Sequence, residues 1–267
     1  MKSLDGIATA ALLGSSGFVG TTLTRQFQFT DCFRSTDVDR IVDRKFDIVV
    51  CAAAPAQKWI ANREPAADLA NVEGLISRLL RVECRQFVLI STVDVFKVAV
   101  DVDERTPVAE DGLHPYGLHR RLLEKFVESR FQDCLVVRLP GLVGPGLRKN
   151  VVFDFLNDNN LHAIDSRCVF QFYPMVNLWF DVQTALVQKL RLVHLTAEPV
   201  SVADVARLGF GRSFDQQLTG TVARYNLKSS HAGLFGGTGV YQYSRRESLQ
   251  AIRAYAQSEA RALKTVG

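Results

Sequence analysis

A turn with glycine at every third position, directly behind an apolar run, constrains this chain more than any other feature. Residues 7–13 (Ile-Ala-Thr-Ala-Ala-Leu-Leu) lead into Gly14-Ser15-Ser16-Gly17-Phe18-Val19-Gly20. The pattern predicts a strand, a tight turn and a helix that opens on the turn. Such an arrangement gathers backbone N–H groups and a helix N-terminus around one point, which suits a pyrophosphate. Gly14 would allow the sharp turn, Gly17 the close approach of backbone to phosphate, and Gly20 tight contact of helix with strand. The spacing is GxxGxxG, not the commoner GxGxxG. Taken alone it also fits a glycine-rich loop ahead of an ordinary helix.

The alternation continues through the first half. Apolar runs at 8–13, 47–54, 86–91 and 134–139 read as strands, and their near-continuous apolar character suits parallel strands covered on both faces. Amphipathic stretches at 18–29, 65–83, 116–131 and 181–190 read as helices, with 201–210 and 247–264 following later. The interval from Gly20 to Asp47 leaves room only for a brief second strand at 31–34 and a short helix near 37–44. These elements predict an α/β fold, a doubly wound parallel sheet with a smaller C-terminal substrate lobe. The expected division is a dinucleotide-binding domain over 1–145 and a lobe over 146–267, with about 176–210 returning to the first domain.

Composition narrows the classes further. A chain of 267 residues that is 47% apolar can bury a large core, which excludes disorder. No apolar run approaches the roughly 18–20 residues that span a bilayer. Met1 to Gly6 lacks a signal-peptide pattern, so a cytoplasmic location is expected. A net charge of +4 with both signs interspersed favours neither nucleic acid nor membrane as partner, and it tolerates an anionic small ligand. Cys32, Cys51, Cys84, Cys134 and Cys168 form no CxxC pair and read as buried, reduced thiols. The histidines are scattered without ligand spacing, so no metal is expected.

Three later segments carry chemistry. Val88-Leu89-Ile90-Ser91-Thr92-Val93-Asp94-Val95-Phe96 is a strand ending in hydroxyls, and strand carboxyl ends are where ligands bind in open α/β sheets. Ser91 and Thr92 are therefore expected to point toward the same crevice as the glycine turn, although a turn or helix cap would use the same residues. Pro115-Tyr116-Gly117-Leu118-His119-Arg120 opens a helix, with Tyr116 and Arg120 one turn apart on one face. A fixed cation can lower a phenol's pKa and fit it for proton transfer. The bland alternative is a surface ring stacked on an arginine. Val136-Val137-Arg138-Leu139-Pro140-Gly141-Leu142-Val143-Gly144-Pro145-Gly146 is a buried strand running into a rigid loop.

In this order the segments resemble the extended short-chain dehydrogenase/reductase family, in particular its nucleotide-sugar epimerases, dehydratases and reductases. The likeness covers most of the chain and includes Ala52-Ala53-Ala54 after the third strand and Asn71-Val72-Glu73-Gly74 in a long helix. It implies a Rossmann scaffold that transfers hydride with NAD or NADP. Gly14, Ser15, Ser16, Gly17, Phe18 and Val19 would hold the pyrophosphate, Ala52 and Ala53 the adenosine and ribose, and Leu139, Pro140 and Val143 the nicotinamide. Thr92 falls at the catalytic hydroxyl and Tyr116 at the catalytic tyrosine, which exchanges a proton with a sugar hydroxyl or keto oxygen. Family members often pair through two long helices, here 65–83 and 116–131, so a homodimer is expected.

Position 120 departs from the family's Tyr-x-x-x-Lys. Arg120 keeps the charge, but its planar fork is bulkier and does not deprotonate. It either serves as a fixed cation, leaves the role to Lys58 or His119, or marks a protein that binds nucleotide without turnover. Arg34, just after the second strand, tilts the cofactor toward NADP, with Asp31 and Asp37 on either side. Asp94 is expected to contact the substrate, but alone it does not provide the acidic pair used in dehydration. Arg148, Lys149 and Asn150 suit a sugar-nucleotide diphosphate or are solvated surface charge. Trp59 and Trp179 either flank the crevice or belong to the core, and residues 231–239 form either a substrate-covering loop or a turn. The rival to an enzyme is a nucleotide-binding sensor of the same fold.

Overall fold

The computed structural model describes residues 6–261. Strands in chain order are β1 (Ala10–Leu13), β2 (Asp31–Phe33), β3 (Lys45–Cys51), β4 (Glu83–Thr92), β5 (Val100–Val102) and β6 (Cys134–Leu139). They continue as β7 (Gly141–Val143), β8 (Val169–Phe170), β9 (Phe172–Pro174), β10 (Leu192–His194), β11 (Val200–Ser201) and β12 (Asn226–Leu227). Helices are α1 (Phe18–Gln26), α2 (Lys58–Arg63), α3 (Pro65–Leu79), α4 (Pro115–Arg130), α5 (Val151–Asn157), α6 (Leu178–Val187), α7 (Val202–Asp204) and α8 (Arg245–Ser258). Among the described residues no helix is long and apolar enough to cross a membrane.

The chain divides into two compact units. The first comprises Met1–Val98, Glu104–Leu139 and Leu178–Leu195; the second comprises Ala99–Asp103, Pro140–Asn177 and Thr196–Gly267. In the first, a parallel sheet of six strands runs in the order β10-β6-β4-β3-β1-β2. The strands that read as apolar runs are its centre, and Ala11, Leu13, Val49, Cys51, Phe87, Leu89 and Val136 lie in one core cluster with Val72, Leu75 and Leu79 of α3. Because β1 lies between β2 and β3, successive connections leave it in opposite directions. That switch opens a ligand crevice at the strands' carboxyl ends.

Several expected boundaries move. The helix expected over 65–83 stops at Leu79, because Val82 turns into the core and Glu83 opens β4. The strand expected over 47–54 ends at Cys51, so the alanines lie past it, with the Ala52 N–H still bonded to the Leu13 carbonyl at 3.0 Å. The helix expected over 201–210 is one α turn, α7, followed by a π-helix at Val205–Gly209. In the C-terminal helix a capping box of Ser244 and Glu247 starts α8, and residues 262–264 of its expected span lie outside the described residues. Cys32 is exposed, because β2 is an edge strand, and Cys84 and Cys168 are half-buried, which leaves Cys51 and Cys134 buried as expected. Trp179 is core, its ring 4.3 Å from that of Phe27.

Beneath the sheet's carboxyl edge lies a buried charge cluster. Arg138 of β6 donates to both Glu124 oxygens, from Nε at 3.0 Å and Nη2 at 2.7 Å, and Arg121 reaches the same carboxylate at 2.9 Å. Burial alone would raise the Glu124 carboxyl, but the guanidiniums hold it below the usual carboxylate range. The second unit is built on short ladders, β7 with β9, β8 with β11 and β5 with β12. Buried Gln171 staples it, donating to the carbonyls of Ala197 (2.6 Å) and Leu227 (2.8 Å) and accepting the Leu227 N–H (2.6 Å).

Two consequences are measurable. Glu124→Ala leaves Arg138 buried without its carboxylate, and the first unit should lose about 3–5 kcal/mol in denaturant unfolding, whereas a loss under about 1 kcal/mol would contradict the cluster's role. At the start of α4, His114 caps the helix by accepting the Gly117 N–H on Nδ1 at 3.0 Å, which requires an unprotonated nitrogen. Burial, with Lys58 beside it, lowers the imidazole pKa. The unfolded chain therefore takes up this proton at higher pH than the folded one. The cap's contribution is complete above the ordinary imidazole value of about 6.5 and declines as pH falls below it. His114→Asn, which keeps a capping acceptor, should flatten that part of the stability–pH curve; an unchanged curve would show that His114 does not contribute.

Candidate active site

The carboxyl end of β1 is formed by backbone contact. Gly14 has φ +81°, and a Cβ there would collide with the Ala52 carbonyl and lie 2.9 Å from the Ala53 Cα. A Cβ on Gly20 would collide with the Gly14 carbonyl and lie 2.8 Å from the Ser15 Cα. Only glycine at both positions lets turn, helix and the end of β3 close this tightly. The N–H groups of Gly14 and Ser15 are bonded to the Phe33 carbonyl, at 2.9 and 3.1 Å, and so hold the turn. Ser16 and Gly17 are exposed beyond it. Phe18, Val19 and Gly20 form the first turn of α1, where a helix leaves N–H groups without an intrahelical acceptor. The structure thus brings Gly14 to Val19 together with Ala52 and Ala53. It sets Arg34, exposed, immediately after β2.

Two strands away, Thr92 ends β4 opposite Leu139 of β6. Its hydroxyl interacts with the phenol of Tyr116 and accepts the Asp94 N–H at 3.2 Å. Ser91 does not share this edge. Side chains alternate across a strand, and its hydroxyl instead donates to buried Glu124 at 2.5 Å. Tyr116 is 7% exposed, on the first turn of α4, with its N–H donated to Asn62 Oδ1 at 3.0 Å. Asp94 is ion-paired with Lys58 of α2 at 2.7 Å.

Arg120 does not act as expected. Its guanidinium stacks on the face of the Tyr116 ring, 4.0 Å from the centroid. Both terminal nitrogens are held by buried Asp68 of α3, the Nη2–Oδ1 contact being 2.9 Å, and Nη2 also donates to the Pro55 carbonyl. His119 Nδ1 meets the same carboxylate at 2.7 Å. Burial would raise the Asp68 carboxyl, but these partners keep it below the carboxylate range. The expectation of a lowered phenol is therefore corrected. Burial raises the Tyr116 hydroxyl and outweighs Arg120 and the Thr92 hydrogen bond, which pull the other way.

Asp68 and Asn62 escaped the sequence reading. Asp68 had a signal: it is in register with Val72, Leu75 and Leu79 on one helix face, and an acid on an apolar face needs a buried cation. Of the remaining expected residues, Pro140 and Val143 are buried in the second unit, Val143 within β7. Arg148 and Lys149 are exposed ahead of α5. The Asn150 amide caps that helix, accepting the Val152 N–H at 2.9 Å and donating to the Leu142 carbonyl at 2.9 Å. Trp59 is 63% exposed, with the Arg63 guanidinium 4.8 Å from the ring centroid. Residues 231–239 close as a turn, with the Ser229 N–H bonded to the Val240 carbonyl at 2.9 Å.

Comparisons with known proteins agree with this architecture. A dTDP-4-dehydrorhamnose reductase ortholog from Clostridium acetobutylicum is similar at TM-score 0.72 and 17% identity, covering 93% of this chain and 98% of that one. An NAD-dependent NDP-hexosamine 5,6-dehydratase of tunicamycin biosynthesis is similar at TM-score 0.73 and 17% identity, with 94% and 98% covered. A dTDP-4-dehydrorhamnose reductase from Bacillus anthracis, in complex with NADP, is similar at TM-score 0.70 and 14% identity, with 94% and 98% covered. At these identities the likeness is one of fold. No curated protein sequence matches the chain. The model of the NAD-dependent epimerase/dehydratase family matches residues 18–163, more than half of the 267. The chain belongs to the NAD-dependent epimerase/dehydratase family.

Proposed function

We propose that this protein is an NAD(P)-dependent oxidoreductase or epimerase of a nucleotide-linked sugar or related keto-sugar, with Tyr116 as its general acid/base. The observation that carries the reading is the buried Tyr116 phenol, which meets Thr92 on the sheet edge that also bears the glycine turn. The turn fits a dinucleotide: neighbouring backbone occupies the space a side chain at Gly14 or Gly20 would take, and Ser16 and Gly17 are exposed. Phe18 and Val19 N–H groups would hold the pyrophosphate, and Ala52 and Ala53 the adenosine ribose. A nicotinamide, when bound, supplies or accepts hydride. Tyr116 then gives or takes the proton of the reacting oxygen, which Thr92 orients through its hydroxyl. Neighbours of the same fold carry names of dTDP-sugar and NDP-hexosamine enzymes, which supports the substrate class. In the second unit, exposed Arg148 and Lys149 suit a diphosphate.

NADP is the favoured cofactor. An acid after the second strand would bond a ribose 2′-hydroxyl, whereas an arginine accommodates a 2′-phosphate. Asp31 is committed to Arg44 at 2.8 Å and Asp37 accepts the Arg34 N–H at 2.6 Å, while the Arg34 side chain is exposed. A sensor that binds nucleotide without turnover is the second reading, favoured by the capture of Arg120 by Asp68.

Tyr116→Phe should reduce turnover of a keto-sugar nucleotide by about 100-fold or more while NADPH affinity stays unchanged; retained turnover would remove Tyr116 from the chemistry. Fluorescence titration should show NADPH bound more tightly than NADH, with the preference lost in Arg34→Ala. Tighter NADH binding would reverse the cofactor assignment.

A further inference from the structure

Tyr116 is held by a closed circuit of contacts that begins and ends on α2. Lys58 Nζ donates to Asp94 Oδ1 at 2.7 Å, the Asp94 N–H donates to the Thr92 hydroxyl at 3.2 Å, and that hydroxyl meets the phenol. The Tyr116 N–H returns to Asn62 Oδ1 at 3.0 Å. Lys58 and Asn62 stand four apart in α2, one turn from each other. Surface ion pairs are usually incidental. This one closes a ring around the group read as the proton carrier, and its members come from elements far apart in sequence.

The charges facing Tyr116 differ in how freely they can change. Arg120, on α4, is fixed by Asp68 of α3, with both residues buried. His114, ahead of α4, has its Nδ1 occupied by the Gly117 N–H. Lys58 and Asp94 are partly exposed, with 37% and 19% of their side chains accessible. A carboxylate near a phenol opposes its ionisation, and an ammonium favours it. The balance between these two is the part of the field that a ligand, a proton or a substitution can alter.

We propose that Lys58 is the positioning residue that readies Tyr116 for proton transfer, its ammonium offsetting the Asp94 carboxylate, while Arg120 is the fixed cation beside the ring. The inference rests on the reading of Tyr116 as the proton-transferring group. It assigns α2, a helix outside the glycine turn and the hydroxyl–tyrosine pair, a part in the chemistry. Asp68 fixes Arg120 in one position, so its pull on the phenol is constant and the Lys58–Asp94 pair is the part that can vary.

The test uses the full-length protein with 3,5-difluorotyrosine at position 116, whose hydroxyl ionises closer to neutral pH, followed by fluorine NMR. Lys58→Ala should move the titration midpoint up by about one pH unit, Lys58→Arg should restore it, and Asp94→Asn should move it below that of the unsubstituted protein. A midpoint unmoved by Lys58→Ala, or moved equally by Lys58→Ala and Lys58→Arg, overturns the proposal. Asp94→Asn provides the opposite sign should loss of Lys58 loosen α2; an upward move there would also overturn it. The titration requires neither nucleotide nor turnover. It therefore fails or succeeds separately from the Tyr116→Phe assay, which bears on the functional reading alone.

Discussion

Backbone meeting backbone at the end of β1 is the constraint on which the rest depends. Gly14 presses against Ala52 and Ala53, and Gly20 against Gly14 and Ser15, at distances that no β-carbon permits. The contact sits at the switch point of the sheet, where β2 and β3 leave β1 on opposite sides. It draws the first turn of α1 down onto the sheet, so its unbonded N–H groups face the same edge as Thr92.

Behind that edge the molecule separates fixed charge from adjustable charge. Glu124 with Arg138 and Arg121, and Asp68 with Arg120 and His119, are pairs within the core of the first unit. Buried ions are costly to separate, and such pairs pin α3, α4 and β6 in register more than they add net stability. The Lys58–Asp94 pair lies at the accessible end of the same region. Arg120 belongs to the fixed set, joining α4 to α3 through Asp68 while its guanidinium stacks on the Tyr116 ring.

What the sequence made legible follows from physics that acts locally. Near-continuous apolar runs marked β1, β3, β4 and β6, since strands covered on both faces have no polar period to confuse them. Glycine spacing marked the turn because a missing side chain is visible in sequence. Properties requiring long-range knowledge were hidden. Whether Ser91 or Thr92 faces the ligand edge depends on strand phase, and whether Arg120 reaches a hydroxyl depends on Asp68, 52 positions away. Helix α2 was missed because six residues between a proline-containing turn and Pro65 leave little period to read. The short ladders of the second unit, two or three residues long, carry no pattern at all.

The most direct test of this account is a crystal structure of the protein with NADPH bound. The account predicts the pyrophosphate against the N–H groups of Phe18 and Val19, the ribose beside Ala52 and Ala53, and the nicotinamide ring within reach of the Tyr116 hydroxyl. A dinucleotide bound away from that turn, or a nicotinamide directed away from Tyr116, would contradict it.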